Sequence, residues 1–361
     1  MKTKTIILTG ALLATLYSPM LFSASGESLV FDPVSGDYTI TYADNLGNLQ
    51  QSKFVPRTKI EPVVSSAFKL NDSGIIDYRY TFANGKGAKQ SISLAVIYSI
   101  SSLYYSQPLP PYTSPGETLE SALAVSRIWD APIVTPDRWR GDASPDLDHA
   151  SMVQAGWSYS EEEYPNEKHI GVTPGEKQAG FGFVSRDLPG IGKFKLWGDT
   201  PIGEGYVDEG PKSSSEVGKQ LRVLEKNNFV PRNAAVPTIA VPTPFDPAVT
   251  LERIQTHTHT WIAMQLLDLA FSAQLDRNFQ SAISAYRLNQ PKVGKKQIQT
   301  MRELLKKEHA DADREDDNDD PVEKGDRDDK NKRALIDKFA ARVLDFDLKY
   351  VAKRMGGDKD D

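Results

Sequence analysis

Cysteine is entirely absent from this chain of 361 residues. A chain without cysteine has no disulfide, no thiolate metal ligand and no cysteine nucleophile. Histidine is also scarce, since only five are present, and few side chains are therefore available as general bases at neutral pH. We expect the fold to be stabilised by packed cores alone.

An excess of positive charge is absent as well. The chain carries 43 Lys and Arg against 49 Asp and Glu, and its net charge is −6. A mildly acidic protein has no general affinity for nucleic acid or anionic lipid. The composition therefore predicts no nucleic-acid partner.

Long apolar runs are missing except at the N-terminus. Lys2 and Lys4 precede an uncharged, largely apolar run over residues 5–22, and the small residues Ser23, Ala24 and Ser25 follow it. This pattern predicts a cleaved signal peptide over 1–25, with export to the periplasm or the extracellular space. No second run is long enough to span a bilayer, so we expect no transmembrane segment in the mature chain.

Residues 26–230 show the patterns of β-strands. Asp37–Tyr42 and Asp77–Phe82 alternate between apolar and polar residues, and turn residues such as Asn84-Gly85 separate the strands. We predict that the strand over 77–82 and the strand over 91–100 form a hairpin. The many short strands predict an antiparallel β-sandwich, and residues 107–170 form an irregular insertion in it.

A second segment favours the same fold class. His169-Ile170-Gly171-Val172-Thr173-Pro174-Gly175-Glu176 and Gly180-Phe181-Gly182-Phe183 read as a turn followed by a strand. This turn and strand resemble a late part of many bacterial immunoglobulin-like modules. The resemblance covers about fifteen residues and implies nothing about activity, and we interpret the segment simply as a turn and a strand of the predicted immunoglobulin-like sandwich.

The C-terminal part reads as helix after a proline-rich stretch. Residues 231–247 contain five prolines and predict a stiff, extended linker. Asp246 and Pro247 suit the start of a helix, whose apolar side we predict to continue through Leu266 and Leu269. Further helices are predicted over 279–288, 295–308 and 334–355, so that 248–355 forms a helical bundle. The overall class is therefore α+β.

Two stretches of this region carry many charges. Residues 311–332 are strongly acidic and contain almost no large apolar side chain, which predicts a disordered loop. Their spacing does not match a calcium-binding loop, because Asp316 stands where such a loop needs glycine. Residues 356–361 are predicted to be a disordered tail.

Two other groups of residues could carry chemistry, but we predict that neither does. His257 and His259 flank Thr258 in a helical pattern, where their side chains diverge by about 200° and cannot share a metal. Ser213-Ser214-Ser215 reads as an inert polar loop. We therefore predict no metal and no cofactor.

The insertion carries the best candidate for a ligand site. Aromatic residues and acids are interleaved between Trp129 and Tyr164, and aromatic faces stack on sugar rings while carboxylates bond the hydroxyls. The candidate binding residues are Trp139, Asp142, Tyr159 and Tyr164. Among the tryptophans, alternation predicts that Trp157 is buried, and the polar neighbours of Trp139 predict that it is exposed.

Two functions remain open at this point. The favoured one is a non-catalytic binding or structural protein of the cell envelope or extracellular space, with a glycan or an envelope protein as its partner. The alternative is a carbohydrate-active hydrolase that uses a carboxylate pair in residues 129–164. Two buried carboxylates facing each other would favour the hydrolase.

Overall fold

The computed structural model describes residues 26–71, 74–100, 133–145, 153–159, 171–200, 210–308 and 334–356. The predicted signal peptide, the acidic stretch over 311–332 and most of the insertion lie outside these ranges. The strands are β1 (Ser28–Asp32), β2 (Asp37–Ala43), β3 (Leu49–Phe54), β4 (Pro62–Leu70), β5 (Ile76–Asn84), β6 (Ile92–Ile100), β7 (Ile133–Val134), β8 (Trp139–Pro145), β9 (Val153–Tyr159), β10 (Lys177–Ser185), β11 (Leu188–Gly198) and β12 (Val230–Ile239). The helices are α1 (Glu216–Lys226), α2 (Pro247–Ala263), α3 (Leu269–Arg287), α4 (Pro291–Glu308) and α5 (Lys338–Arg354).

The described chain is α+β, with a β-rich N-terminal region followed by helices. It divides into two compact units, and this division does not follow the proline-rich stretch. Unit 1 comprises residues 1–57 and 200–228, and unit 2 comprises residues 58–199 and 229–361.

Unit 1 is a small antiparallel sheet covered by one helix. Its strands lie in the order β1-β2-β3. Ile40 and Tyr42 of β2 pack against Val217 and Leu221 of α1. Helix α1 was not predicted, and the prediction that Ser215 lies in an inert loop is wrong. Ser215 is the N-cap of α1, and its side chain accepts a hydrogen bond from the Gly218 amide.

Unit 2 contains two antiparallel sheets that face each other. One has the strand order β4-β5-β10-β7 and the other β12-β11-β6-β9-β8. Tyr80 of β5 meets Trp157 of β9 and Phe194 of β11, with ring centroids 6.0 and 4.9 Å apart. The predicted alternation of Tyr78, Tyr80 and Phe82 toward a single buried face is confirmed.

The predicted hairpin between residues 77–82 and 91–100 is wrong. β5 pairs with β4 and β10, whereas β6 pairs with β11 and β9 in the opposite sheet. The buried side chain of Asn84 stabilises this crossing, because its Nδ2 donates to the carbonyl oxygens of Gln90 and Val172. Each strand buries aromatic or aliphatic residues on one face, so facing sheets satisfy the pattern as well as a hairpin does.

The proline-rich stretch is a strand over most of its length. Residues 230–239 form β12, which pairs with β11 along its whole length, so these residues are not a linker. Pro231 and Pro237 are tolerated because β12 is the edge strand of its sheet. Beyond that edge lies β4, whose Ser66 hydroxyl accepts a hydrogen bond from the Ala235 amide.

The helices share their core with the two sheets. Asp246 caps α2 as predicted, accepting hydrogen bonds from the amides of Ala248 and Val249. The predicted continuation of this helix through Leu269 is wrong, because α2 ends at Ala263 and Asp268 caps a new helix, α3. Buried residues of α2 to α5 and of both sheets of unit 2 belong to a single hydrophobic core.

Candidate functional site

The sequence-predicted binding residues do not form one cluster. Trp139 and Asp142 lie in β8, Tyr159 lies in β9, and Tyr164 falls outside the described residues. Side chains alternate along a strand, so positions 139 and 142 point to opposite faces of the sheet. The burial pattern agrees, because Trp139 is buried and Asp142 is exposed.

Trp139 is buried, and the prediction that it is exposed is wrong. Only 7% of its surface is accessible, and its ring lies 4.8 Å from that of Phe181 and 5.9 Å from that of Tyr159. Its polar neighbours, including Arg140 and Asp142, lie on the other face of the strand. The burial of Trp157 is confirmed: it is fully buried, and its Nε1 donates to the Val134 carbonyl oxygen.

Asp142 lies on the face of the five-stranded sheet that is turned away from the core. A Cβ added to Gly156 would lie 3.0 Å from Asp142 Oδ1, which places the carboxylate against this bare backbone position. Surrounding protein atoms displace water and raise the pKa of Asp142, and the nearby Arg140 partly offsets this effect. Of the three predicted binding residues that the structure describes, Asp142 is the exposed one, whereas Trp139 is buried and Tyr159 is half-buried.

Strand register defines the rest of this outer face. Asp142 pairs with Gly156, Gly156 with Val96, and Val96 with Lys195. The adjacent row runs through Arg140, Ser158, Leu94 and Trp197. We call this surface the outer face; its residues are Leu94, Val96, Tyr98, Arg140, Asp142, Gly156, Ser158, Lys195, Trp197 and the adjoining Phe229.

Aromatic rings and a lysine are concentrated at one side of the outer face. The Lys195 ammonium lies 4.1 Å from the ring centroid of Tyr98 and 4.8 Å from that of Phe229. The rings of Trp197 and Phe229 are 5.6 Å apart. All four side chains are half-buried, so parts of their surfaces remain accessible to solvent.

Sequence reasoning missed this aromatic group although a signal for it was present. Lys193, Lys195 and Trp197 occupy alternate positions of β11, and Phe194 and Leu196 between them are buried. A polar–apolar alternation of this kind assigns Trp197 to the solvent side. Proximity to Tyr98 and Phe229 depends on strand pairing and could not be read from the sequence.

The two histidines diverge on α2 as predicted. His257 is mostly buried, and its Nε2 accepts a hydrogen bond from the Ile191 amide at 2.8 Å. Burial lowers the pKa of His257 to about 4, so the ring is neutral at physiological pH. His259 lies on another side of the helix, where its Nε2 is 2.8 Å from the Asp276 carboxylate.

The described residues offer little to the hydrolase alternative. Of the acids in the insertion, Asp137 and Asp142 lie within the described ranges, and both are exposed. Among the described residues, the charged side chain that shifts the pKa of Asp142 is the basic Arg140, which lowers it. Within the same ranges, no three His, Asp or Glu side chains are arranged to hold a metal ion.

Comparison with known proteins gives no functional information. No protein-family model, curated protein or solved structure matches this chain. Among the described residues, no helix combines the length and the apolar character needed to cross a membrane.

Proposed function

We propose that this protein is exported and acts as a non-catalytic binding protein of the cell envelope or extracellular space, with the outer face as its binding surface for a glycan. The observation that carries the proposal is the group formed by Trp197, Phe229, Tyr98 and Lys195. The solvent side of an antiparallel sheet is ordinarily polar, so aromatic residues collected there point to a ligand.

The chemistry of the outer face suits a saccharide. Aromatic faces cover the apolar face of a sugar ring, and charged groups bond the hydroxyls at its edge. The outer face supplies aromatic rings at β11 and charged side chains at β8, where Asp142 and Arg140 lie. Strands β6 and β9 lie between β11 and β8. Neighbouring strands are about 4.8 Å apart, so the aromatic rings and the charged side chains are separated by roughly the length of a short oligosaccharide.

The scaffold in this proposal is a β-sandwich. The aromatic core shared by the two facing sheets supports a sandwich, and the immunoglobulin-like character stays a prediction from residues 169–183. We infer likewise that α2 to α5 form a helical bundle that supports the sheets through their common core.

Export rests on the N-terminal pattern of Lys2, Lys4, the apolar run and Ser23-Ala24-Ser25. N-terminal sequencing of protein recovered from the periplasm or medium should give a start within a few residues of Gly26. Recovery of the chain in the cytoplasm with Met1 retained would contradict export.

Binding is tested with the mature chain against insoluble peptidoglycan and a panel of soluble oligosaccharides. Trp197→Ala should weaken binding by about tenfold or more, because an aromatic anchor contributes about 1–3 kcal/mol. Trp139→Phe is the matched control, because Trp139 lies on the opposite face of the same sheet and phenylalanine keeps its ring contacts. Absence of binding by the wild-type chain, or equal weakening in both variants, would contradict the proposal.

A further inference from the structure

Asp347 is the most unusual charged residue in the described core. It lies in α5 between the buried residues Leu344 and Leu348, and none of its surface is accessible to solvent. Neither of its carboxyl oxygens has a hydrogen-bond partner among the described residues. An ionised carboxylate in such a place is very costly, and a buried acid of this kind binds a proton instead.

In the part of the chain that the structure describes, no group around α5 offers the Asp347 carboxyl a hydrogen bond or an opposite charge. On β5, Tyr78 donates its hydroxyl hydrogen to the Asp187 carbonyl oxygen at 2.9 Å. Burial is the main cause of the raised pKa of Tyr78, to which the neighbouring Tyr80, Asp347 and Asp187 add. The Asp187 carboxylate itself accepts a hydrogen bond from the Val241 amide. Tyr78 therefore lies near both acids, and it donates its hydroxyl hydrogen to a backbone carbonyl and not to the Asp347 carboxyl.

Several basic groups on α5, α4 and α2 have other partners. Arg342 of α5 donates to the Ser66 carbonyl oxygen at 2.7 Å and lies over the ring of Phe68. Arg302 of α4 pairs with Asp345, and His257 of α2 accepts the Ile191 amide. At the end of α5, Arg354 lies over the rings of Phe245 and Tyr350. No described Lys, Arg or His forms an ion pair with Asp347.

We propose that Asp347 carries a proton in the folded protein, and that loss of this proton at rising pH releases α5 from the sheets. We call α5 a pH-sensitive latch, because it stays packed on the common core while Asp347 is protonated and is released when the proton is lost. Helix α5 is attached to β4 by the Arg342 hydrogen bond and by the contact between Phe346 and Phe68, whose ring centroids are 4.9 Å apart. This inference is independent of the proposed glycan binding.

The direction of the pH effect follows from proton linkage. Burial raises the pKa of Asp347 well above the ordinary value of 3.8. Between these two values the folded state binds more protons than the unfolded state, so stability falls as pH rises. The contribution is fully present below the ordinary pKa and is lost as pH rises through the raised one.

The test compares the full chain with Asp347→Asn, which is close in shape to the protonated acid and cannot ionise. Melting temperature is measured from pH 4.5 to 8.5, and amide hydrogen exchange of α5 is measured at pH 5 and 8 after correction for intrinsic rates. In the wild type we expect Tm to fall with pH relative to the variant, and α5 protection to drop by up to about tenfold for each pH unit below the folded pKa of Asp347. In Asp347→Asn the protection of α5 should stay constant.

Two further variants keep the test decisive. Asp347→Leu replaces Asp347→Asn if the amide prevents folding, and it should likewise remove the pH-dependent loss. Asp345→Asn is the matched control on the same helix: burial disfavours its ionised form, but hydrogen bonds from Lys349 and Arg302 outweigh this and lower its pKa. Its replacement should therefore destabilise at neutral pH, and the loss should disappear in acid.

Two results would overturn the inference. Wild type, Asp347→Asn and Asp347→Leu with parallel profiles of Tm against pH would show that Asp347 has no raised affinity for a proton. A pH-dependent Tm with unchanged α5 protection at pH 8 would show that the proton stabilises the whole core and that α5 is not a latch.

Discussion

Trp157 and Trp197 lie on opposite faces of the same five-stranded sheet, and their surroundings differ. Trp157 is fully buried among the rings of Tyr80, Phe183 and Phe194, and its indole nitrogen has a backbone partner. Trp197 is half-buried, and the ring beside it is that of Phe229. Aromatic rings on the inner face therefore stabilise the fold, whereas those on the outer face keep part of their surface accessible to solvent.

The largest effect is expected at the inner face. Trp157→Ala should lower the free energy of unfolding by about 3–5 kcal/mol, because it removes a fully buried ring and leaves a cavity. Urea denaturation measures this change. Trp197→Ala, the outer-face counterpart, should cost about 1 kcal/mol, and equal losses in the two variants would contradict the distinction between the faces.

His257, which is mostly buried and accepts a hydrogen bond from the Ile191 amide of β11, provides a pH-dependent test of the core. Because the folded pKa of His257 is lowered to about 4, its neutral form stabilises the fold above the ordinary value of 6.5, and this stability is lost as pH falls toward 4. The loss should reach about 3 kcal/mol at most. Denaturation at several pH values should show that His257→Gln removes this pH dependence.

His259→Gln controls for replacing a histidine in α2, because His259 faces Asp276 and not the core. Asp347 makes the protein less stable as pH rises, which is opposite to the effect of His257. Both variants retain Asp347, so the difference between their pH profiles reports on the His257 ring alone. If His257→Gln shows the same loss in acid as the wild type, His257 is not the responsible group.

Trp139 tests how far the inner face extends toward the sheet edge. Trp139→Ala should cost about 2–3 kcal/mol, less than at Trp157, because β8 is the edge strand of its sheet. Chemical denaturation measures the loss, and Trp139→Phe should recover most of it by retaining contact with Phe181. A negligible loss in Trp139→Ala would mean that Trp139 is not part of the core.

The smallest effect is expected at Asp142 on the outer face. Its raised pKa means that ionisation opposes folding slightly, so Asp142→Asn should stabilise at pH 7 and not at pH 3. The change should stay within about 0.5 kcal/mol, as is usual for exposed positions. Calorimetry at the two pH values measures it, and a clear destabilisation at pH 7 would show that Asp142 makes a structural contact.

Local features of the fold could be predicted from the sequence. Alternation gave the strands around Tyr78 and the burial of Trp157, and the Asp246-Pro247 pair gave the start of α2. These features depend on residues that are close together in the sequence. Backbone geometry fixes how often a side chain returns to the same face of a helix or strand, so the spacing of apolar residues reveals the buried face. The outer-face aromatic at Trp197 could have been found in the same way.

The tertiary structure decided which strands pair and which side chains are buried. The alternation of β5 and β6 fits two facing sheets as well as a hairpin, and the buried hydrogen bonds of Asn84 accompany the crossing that is found. The prolines of β12 suit an edge strand as well as a linker. Trp139 is buried because Phe181, distant in sequence, covers it.

The sequence by itself therefore determined where strands and helices form and which face of each is apolar, because these properties come from the local backbone and the spacing of side chains. Only the tertiary structure decided which strands pair, which aromatic residues meet on the outer face, and that Asp347 is enclosed with no ion-pair partner among the described residues. These outcomes depend on contacts between residues that are far apart in the chain, and such contacts set both the packing and the cost of a buried charge.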